Sequence, residues 1–248
     1  MSYKNQKIVA TIEARMTSTR LPGKVLMPLA GMPALTRMIE RVRRSKYIDE
    51  IVVATTVNRA DDPIVESAKE NNVKYFRGSE MDVLGRVVGA AESVEAEIIV
   101  ELTGDCPLMD WRLVDRGIEE FFAGQFDCAA NVIKRTFPDG FDVQVYPTAL
   151  LADVANLTDD LLDREHVSRY IYNHEDKYRI NHWLSPAEYV WPDLRVTLDE
   201  INDYKLINLI FEKLLPVNND FSYIDVINLC REFPELIKIN ENVKAKEI

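Results

Sequence analysis

Three cations and three hydroxyl side chains fall within Glu13-Ala14-Arg15-Met16-Thr17-Ser18-Thr19-Arg20-Leu21-Pro22-Gly23-Lys24, a composition suited to a polyphosphate. Arg15, Arg20 and Lys24, with the backbone N–H groups around Ser18 and Gly23, carry the donors needed to surround a triphosphate. The same composition also suits a solvated surface loop. The segment has neither the GxxxxGK[ST] spacing of a Walker A loop nor a GxGxxG fingerprint. Two carboxylates stand at comparable junctions: Asp105 in the turn Gly104-Asp105-Cys106-Pro107, and Asp199 at the end of the strand candidate 194–198. An aspartate in either place serves as a turn or helix-cap residue, or as a hard oxygen ligand for a cation such as Mg²⁺. His166, His174 and His182 recur every eight residues; on a helix that is two turns, too far apart to share an ion.

These residues need a scaffold, and the first half of the chain supplies the pattern of one. Strand candidates at 7–12, 50–55, 74–76 and 97–102, most of them rich in Ile and Val, alternate with helix-period segments, the signature of βαβ units building a mainly parallel sheet covered on both faces. Leu35, Met38, Ile39 and Val42 give one helix a single apolar stripe, with Pro33 in its first turn. Asp62 followed by Pro63 predicts the start of a second helix, Ser79 with Asp82 a capping box for a third, and Asp110 the N-cap of a fourth. Right-handed crossovers then bring the strand ends to one edge, where open α/β sheets bind ligands. That edge receives both the 13–24 loop and Asp105.

After about residue 126 the texture changes. Segments 126–132 and 141–146 flank a Pro138-Asp139-Gly140 turn and predict a small β-rich insertion, with Asp142, Gln144 and Tyr146 on one face. A helix over 159–173 capped by Thr158, strands at 179–184 and 194–198, and helices over 201–215 and 223–231 complete the expectation. No internal repeat or Gly/Ser linker divides the chain, so residues 1–248 read as one domain.

Composition narrows the function classes. Thirty basic residues against forty-one acidic give a net charge of −11, which repels nucleic acid and anionic membranes and requires that a basic pocket for a polyanion be local. No apolar segment has the length of a signal core or a membrane span, so the expectation is a soluble, cytoplasmic protein. Cys106, Cys128 and Cys230 form no CxxC pair and read as buried thiols.

The string Ala14-Arg15-x-x-Ser18-Thr19-Arg20-Leu21-Pro22-Gly23-Lys24 closely resembles the signature of the CMP-sugar synthetase superfamily, which includes the cytidylyltransferases for 3-deoxy-manno-octulosonate and for sialic acids. The resemblance is closest to the spore-coat polysaccharide SpsF-like branch. It continues in family order through Arg77-Gly78-Ser79, Asp82-Val83-Leu84-Gly85-Arg86, Thr103-Gly104-Asp105-Cys106-Pro107-Leu108, Phe137 to Val145, Arg164-Glu165-His166-Val167 and Arg195-Val196-Thr197-Leu198-Asp199. It implies a Rossmann-like nucleotide-diphospho-sugar transferase fold, with a nucleotide-binding half at 1–125 and an acceptor and dimer half at 126–248. The implied reaction transfers CMP from CTP to a sugar-type or phosphorylated acceptor, releasing pyrophosphate, for surface polysaccharide or glycoconjugate biosynthesis.

Residue by residue, the resemblance implies nucleotide contacts from Ala14, Arg15, Ser18, Arg20, Gly23, Lys24, Ser79, Asp82, Arg86 and Thr103. Arg15, Lys24, Asp105 and Asp199 become the catalytic set, with Asp105 and Asp199 holding Mg²⁺. Asp139, Asp142, Gln144, Arg164, Glu165 and His166 become the acceptor set; His166 reads equally as a structural histidine. Lys134, Arg135, Arg164 and Arg169 in the same segments point to an anionic acceptor. Family members pair as homodimers, for which Phe121, Phe122, Phe126, Phe137, Phe141 and Tyr146 offer either a contact or core. Two positions depart from the family pattern: Glu13 replaces Gln or Pro, and Thr17 replaces Gly or Ala. The alternatives are transfer of another nucleotide on the same fold, and a non-catalytic nucleotide-binding protein. A glycosyltransferase is disfavoured because Cys106-Pro107 follows Asp105 where an Asp-x-Asp motif would stand.

Overall fold

The computed structural model describes residues 2–243; the basic end of the C-terminal tail lies outside them. Its strands are β1 (Ile8–Glu13), β2 (Pro28–Leu29), β3 (Met32–Pro33), β4 (Glu50–Thr56), β5 (Lys74–Gly78), β6 (Ile98–Thr103), β7 (Cys128–Ala130), β8 (Gln144–Pro147) and β9 (Ile180–His182). The main sheet has the order β5-β4-β1-β6-β8-β7-β9, and β2 and β3 make a separate two-stranded ribbon. From β5 to β6 every neighbour is parallel. β8 is antiparallel to β6 and β7, and β9 runs parallel to β7. The expected hairpin therefore extends the main sheet, making it mixed.

The helices are α1 (Ala34–Val42), α2 (Asp62–Glu70), α3 (Val83–Glu92), α4 (Trp111–Phe122), α5 (Thr148–Leu157), α6 (Leu161–Glu165), α7 (Arg169–Tyr172), α8 (Ile201–Leu214) and α9 (Tyr223–Glu232). Strand parity divides the core. Ile8, Ala10 and Ile12 pack on one face with Leu35 and Ile39 of α1, Ile118 of α4 and Ile207 of α8. Val9 faces the other side, with Leu84 and Val87 of α3 and Leu151 of α5. Each fully buried aliphatic side chain contributes on the order of 1.5–3 kcal/mol, so the strand edge that carries the loops is rigidly founded.

Several element boundaries differ from expectation. A 3₁₀ turn, Arg59–Asp61, precedes α2, making Asp61 rather than Asp62 its N-cap position. Asp82, not Ser79, caps α3 by accepting from the Gly85 N–H at 2.9 Å, while Ser79 Oγ accepts from Met81 and Asp82 one turn earlier. The expected helix over 159–173 is broken: His166 takes an extended conformation that ends α6, and Asp160 rather than Thr158 is its cap. Segment 194–198 is extended but joins no sheet, bonding instead to Asp139 and Asp105. Phe121, Phe137, Phe141 and Tyr146 are core residues, so they form no exposed dimer contact. The three cysteines are free and buried.

Candidate active site

The loop after β1 is fastened by its own backbone. Met16 N–H donates to Asp61 Oδ1 at 2.7 Å, and Gly23 N–H returns to the Met16 carbonyl at 2.9 Å. Gly23 has φ +73°, a left-handed conformation that glycine adopts without a Cβ penalty. It turns the chain into the 3₁₀ segment Lys24–Leu26 and aims Lys24 inward. Thr17 Oγ1 donates to Glu80, and Arg15 Nη1 lies 3.6 Å from the same carboxylate.

Lys24 is held between the two carboxylates. Its Nζ is 2.8 Å from Asp105 Oδ2 and 2.8 Å from Asp199 Oδ1, so those two oxygens can lie no further apart than twice that distance. Asp105 reaches this point because Gly104 nests against β1, its N–H 2.8 Å from the Glu13 carbonyl; a Cβ there would stand 2.4 Å from that oxygen. Asp199 is delivered by the Leu198 N–H, which donates to the Asp105 carbonyl at 2.7 Å. The α8 cap is formed by Glu200 and Asp203 in a capping box. Asp199 is thereby left for cations: Lys24, Arg20 Nη2 at 2.9 Å, and Arg195 Nη2.

The electrostatics follow from this crowding. Burial presses the Lys24 ammonium down, but Asp105 and Asp199 outweigh it and hold its pKa above the ordinary value. Burial pushes Asp199 up, and Lys24, Arg20 and Arg195 reverse this and leave it below the usual carboxylate range. Among the described residues no group of three or more His, Cys, Asp or Glu side chains gathers as a metal site. The residues nevertheless fit a divalent ion whose shell is completed by phosphate and water oxygens, as is usual for Mg²⁺: two carboxylates converge on one cation, and the Lys24 ammonium stands where it would sit.

A cleft of about 290 Å³ opens here, lined by Ala14, Arg15, Ser18, Arg20, Lys24, Arg86, Thr103, Asp105, Asp199, Glu165 and His166 among the residues singled out from sequence. Gly23, Ser79, Asp82, Asp139, Asp142, Gln144 and Arg164 do not line it. Arg135 binds Asp142 with two 3.0 Å hydrogen bonds. Asp139 accepts from Arg195 at 2.7 Å, and Gln144 Nε2 donates to Glu101. Arg164 lies 3.3 Å from Asp82, and Arg169 pairs with Asp163. Arg135, Arg164 and Arg169 are thus each engaged by carboxylates. The histidines go separate ways: His166 lines the cleft, His174 stacks on Tyr170, and His182 lies 3.8 Å from Glu175.

Sequence reasoning missed four participants. Arg195 stands at i, i+4 spacing to Asp199, a signal of their pairing. Glu80 had no local signal. Glu13, a departure from the family pattern, also lines the cleft; it is half-buried and hydrogen-bonds to the buried Glu101 behind it. Burial drives Glu13 up to about 7, against the pull of the Glu101 hydrogen bond and Arg86, and holds Glu101 well above its ordinary range.

The chain resembles known proteins over most of its length. Over 92% of its length the chain is 35% identical to 95% of the spore coat polysaccharide biosynthesis protein SpsF of Bacillus subtilis. A solved cytidylyltransferase from Leptospira borgpetersenii superposes with a TM-score of 0.90 at 33% identity, covering 98% of this chain and all of that one. A CMP:2-keto-3-deoxy-manno-octonic acid synthetase, solved with CTP, shares the fold at a TM-score of 0.64 and 18% identity, over 84% of this chain and all of that one. The family profile described as Cytidylyltransferase matches residues 9–221. With that match spanning the β1 loop, Asp105 and Asp199 together, the chain belongs to the cytidylyltransferase family.

Proposed function

We propose that this protein transfers CMP from CTP to a sugar-type or phosphorylated acceptor, releasing pyrophosphate, in surface polysaccharide or glycoconjugate biosynthesis. The observation that carries the reading is Lys24 Nζ, shared between Asp105 and Asp199 with Arg20 alongside. In a chain of net charge −11, this is a local cationic and metal-competent focus at the ligand edge of the sheet.

The acceptor oxygen attacks the α-phosphorus in line. A P–O bond forms to the acceptor, the bond to the bridging oxygen breaks, and pyrophosphate leaves with the electron pair. A hydroxyl acceptor releases its proton to solvent or to a base; a phosphate acceptor has none to lose. Asp105 and Asp199 are the residues that would hold Mg²⁺, whose chemistry here is neutralisation of the phosphate charge. Lys24 and Arg20 face the phosphates and stabilise the charge that grows on the leaving group, and Arg15 closes the loop side. Such transfer depends on positioning and charge neutralisation more than on covalent help from the protein.

The test is pyrophosphate release with CTP, UTP, GTP and ATP, Mg²⁺ and a panel of sugar and sugar-phosphate acceptors. CTP-dependent release supports the reading; release with GTP alone moves the assignment to guanylyl transfer. No release, together with no thermal protection by any triphosphate, overturns it. A homodimer belongs to the same reading, and sedimentation as a monomer at micromolar concentration removes that part.

A further inference from the structure

Segment 194–198 delivers Asp199 to the cleft, yet it belongs to no sheet ladder, so single bonds decide where it lies. Val196 N–H donates to the Asp139 carbonyl and Leu198 N–H to the Asp105 carbonyl, each at 2.7 Å. A further fastening comes from far along the chain: Asn240 Nδ2 donates to the Arg195 carbonyl at 3.0 Å. Asn240 lies outside residues 9–221, the part matched by the family profile.

The same amide nitrogen donates to Asp203 Oδ1 at 2.8 Å. Asp203 is fully buried, and a carboxylate there needs donors on both oxygens to offset its lost hydration. Its Oδ2 accepts from the Asp199 N–H at 3.1 Å and the Glu200 N–H at 2.9 Å, so the bond from Asn240 to Oδ1 steadies the group that holds the Asp199 backbone. Arg195 Nε stands 3.5 Å from the same Oδ1 without hydrogen-bonding to it, while Arg195 Nη2 holds Asp199 Oδ2. Asp199 is therefore supported twice, its backbone through Asp203 and its carboxylate through Arg195. Both supports meet at the Asn240 amide, which has one hydrogen for each. Asn240 is itself buried, and its turn is seated by Leu236 in the core and by Ile237 and Ile239 packed against it.

We propose that Asn240 is a positioning residue for the transfer reaction: it clamps the Arg195 carbonyl and the Asp203 carboxylate so that Asp199 keeps its place opposite Asp105. The inference rests on the nucleotide and metal reading above, in which Asp199 is an ion ligand. A residue that orients a ligand from behind acts on affinity for the ion as well as on the fold. An asparagine buried for packing alone answers to volume and not to hydrogen bonding.

Two measurements on the full chain test it. Hydrogen exchange followed by mass spectrometry reads the 195–203 segment, and electron paramagnetic resonance reads binding of Mn²⁺, the spectroscopic substitute for Mg²⁺, in the presence of CTP. Asn240→Leu keeps the volume and removes both donors, whereas Leu236→Ala loosens the same turn and leaves both bonds in place. Asn240→Leu is expected to speed exchange in the 195–203 segment about tenfold or more, the scale of one lost hydrogen bond to a charged group. It should also weaken Mn²⁺ binding by about 10–100-fold. Leu236→Ala should lower Tm and leave both readouts near wild type. Should the leucine variant not fold, Asn240→Ser, with one hydroxyl hydrogen for two acceptors, carries the same comparison. Unchanged exchange or unchanged Mn²⁺ affinity in the folded Asn240 variant overturns the clamp, as does an equal shift of both readouts in Leu236→Ala. If wild type binds no Mn²⁺ with CTP present, the nucleotide and metal reading falls, and exchange at 195–203 alone decides whether Asn240 holds Asp199 in place.

Discussion

Lys24 Nζ and Asp199 Oδ1 lie 2.8 Å apart although 175 residues separate them in the chain. The contact joins the loop that leaves β1 to the segment that enters α8, and Asp105 completes the triangle at an equal distance from the ammonium. Under the proposed function the phosphates take up Lys24, and Asp105 and Asp199 are the residues that would then hold a divalent ion.

Lys24→Ala should lower turnover by roughly 10²–10³, the scale of removing one preorganised charge stabiliser, with the fold retained by circular dichroism. The same variant leaves Asp105 and Asp199 facing each other without the ammonium that bridges them, Arg20 and Arg195 remaining on Asp199 alone. Thermal stabilisation by Mg²⁺ should therefore be larger in the variant than in wild type, measured as the shift in Tm on titrating the metal. Unchanged turnover at saturating CTP would remove Lys24 from the chemistry.

Asp199→Asn should alter the acid limb of stability. Because the folded-state pKa of Asp199 lies below its ordinary value of 3.8, its contribution is fully present above that value and is lost as pH falls through the lower, folded pKa. Denaturant unfolding between neutral pH and about pH 3 should show a shallower acid decline in the variant, together with a raised Mg²⁺ requirement for pyrophosphate release.

Glu13→Gln should act in the opposite direction. Burial raises the folded pKa of Glu13 from 4.5 to about 7, so the folded state binds the proton more tightly than the unfolded one. Its stabilising contribution is complete below the unfolded value and is lost as pH rises through about 7. The amide cannot ionise. Stability measured from pH 5 to pH 8 should fall less steeply in the variant than in wild type.

Gly104→Ala should destabilise by roughly 1–3 kcal/mol, the usual cost of overpacking, because the new Cβ meets the Glu13 carbonyl at 2.4 Å. The displaced turn carries Asp105 with it. Activity should fall further than a stability loss of that size explains, and a variant with wild-type Tm and turnover would show that Asp105 tolerates movement.

The parallel half of the sheet was legible because strands buried on both faces must be mostly apolar, and Ile8 to Ile12, Ile51 to Ala54 and Ile98 to Leu102 are, with Thr11 and Glu101 the buried polar exceptions. Helix starts shifted where a second polar residue competed for the cap: Asp61 before Asp62, Asp82 after Ser79, Asp160 after Thr158. α5 was not anticipated, since it follows Pro147 with no polar cap and its apolar residues surround the helix. In the site, the loop cations and both aspartates were legible from residue type and family resemblance. The Glu13–Glu101 contact was not, because it depends on which rows of β1 and β6 align. The anionic acceptor inferred from Arg135, Arg164 and Arg169 counted cations without the carboxylates that fold against them.

The fastening of the β1 loop bears on how quickly substrate is captured. Asp61 holds Met16, the Met16 carbonyl holds Gly23, and Glu80 holds Thr17, so this cradle takes its shape during folding. An arriving nucleotide has no slack segment to organise, and its capture rate should be governed by encounter and by the ionic strength of the medium.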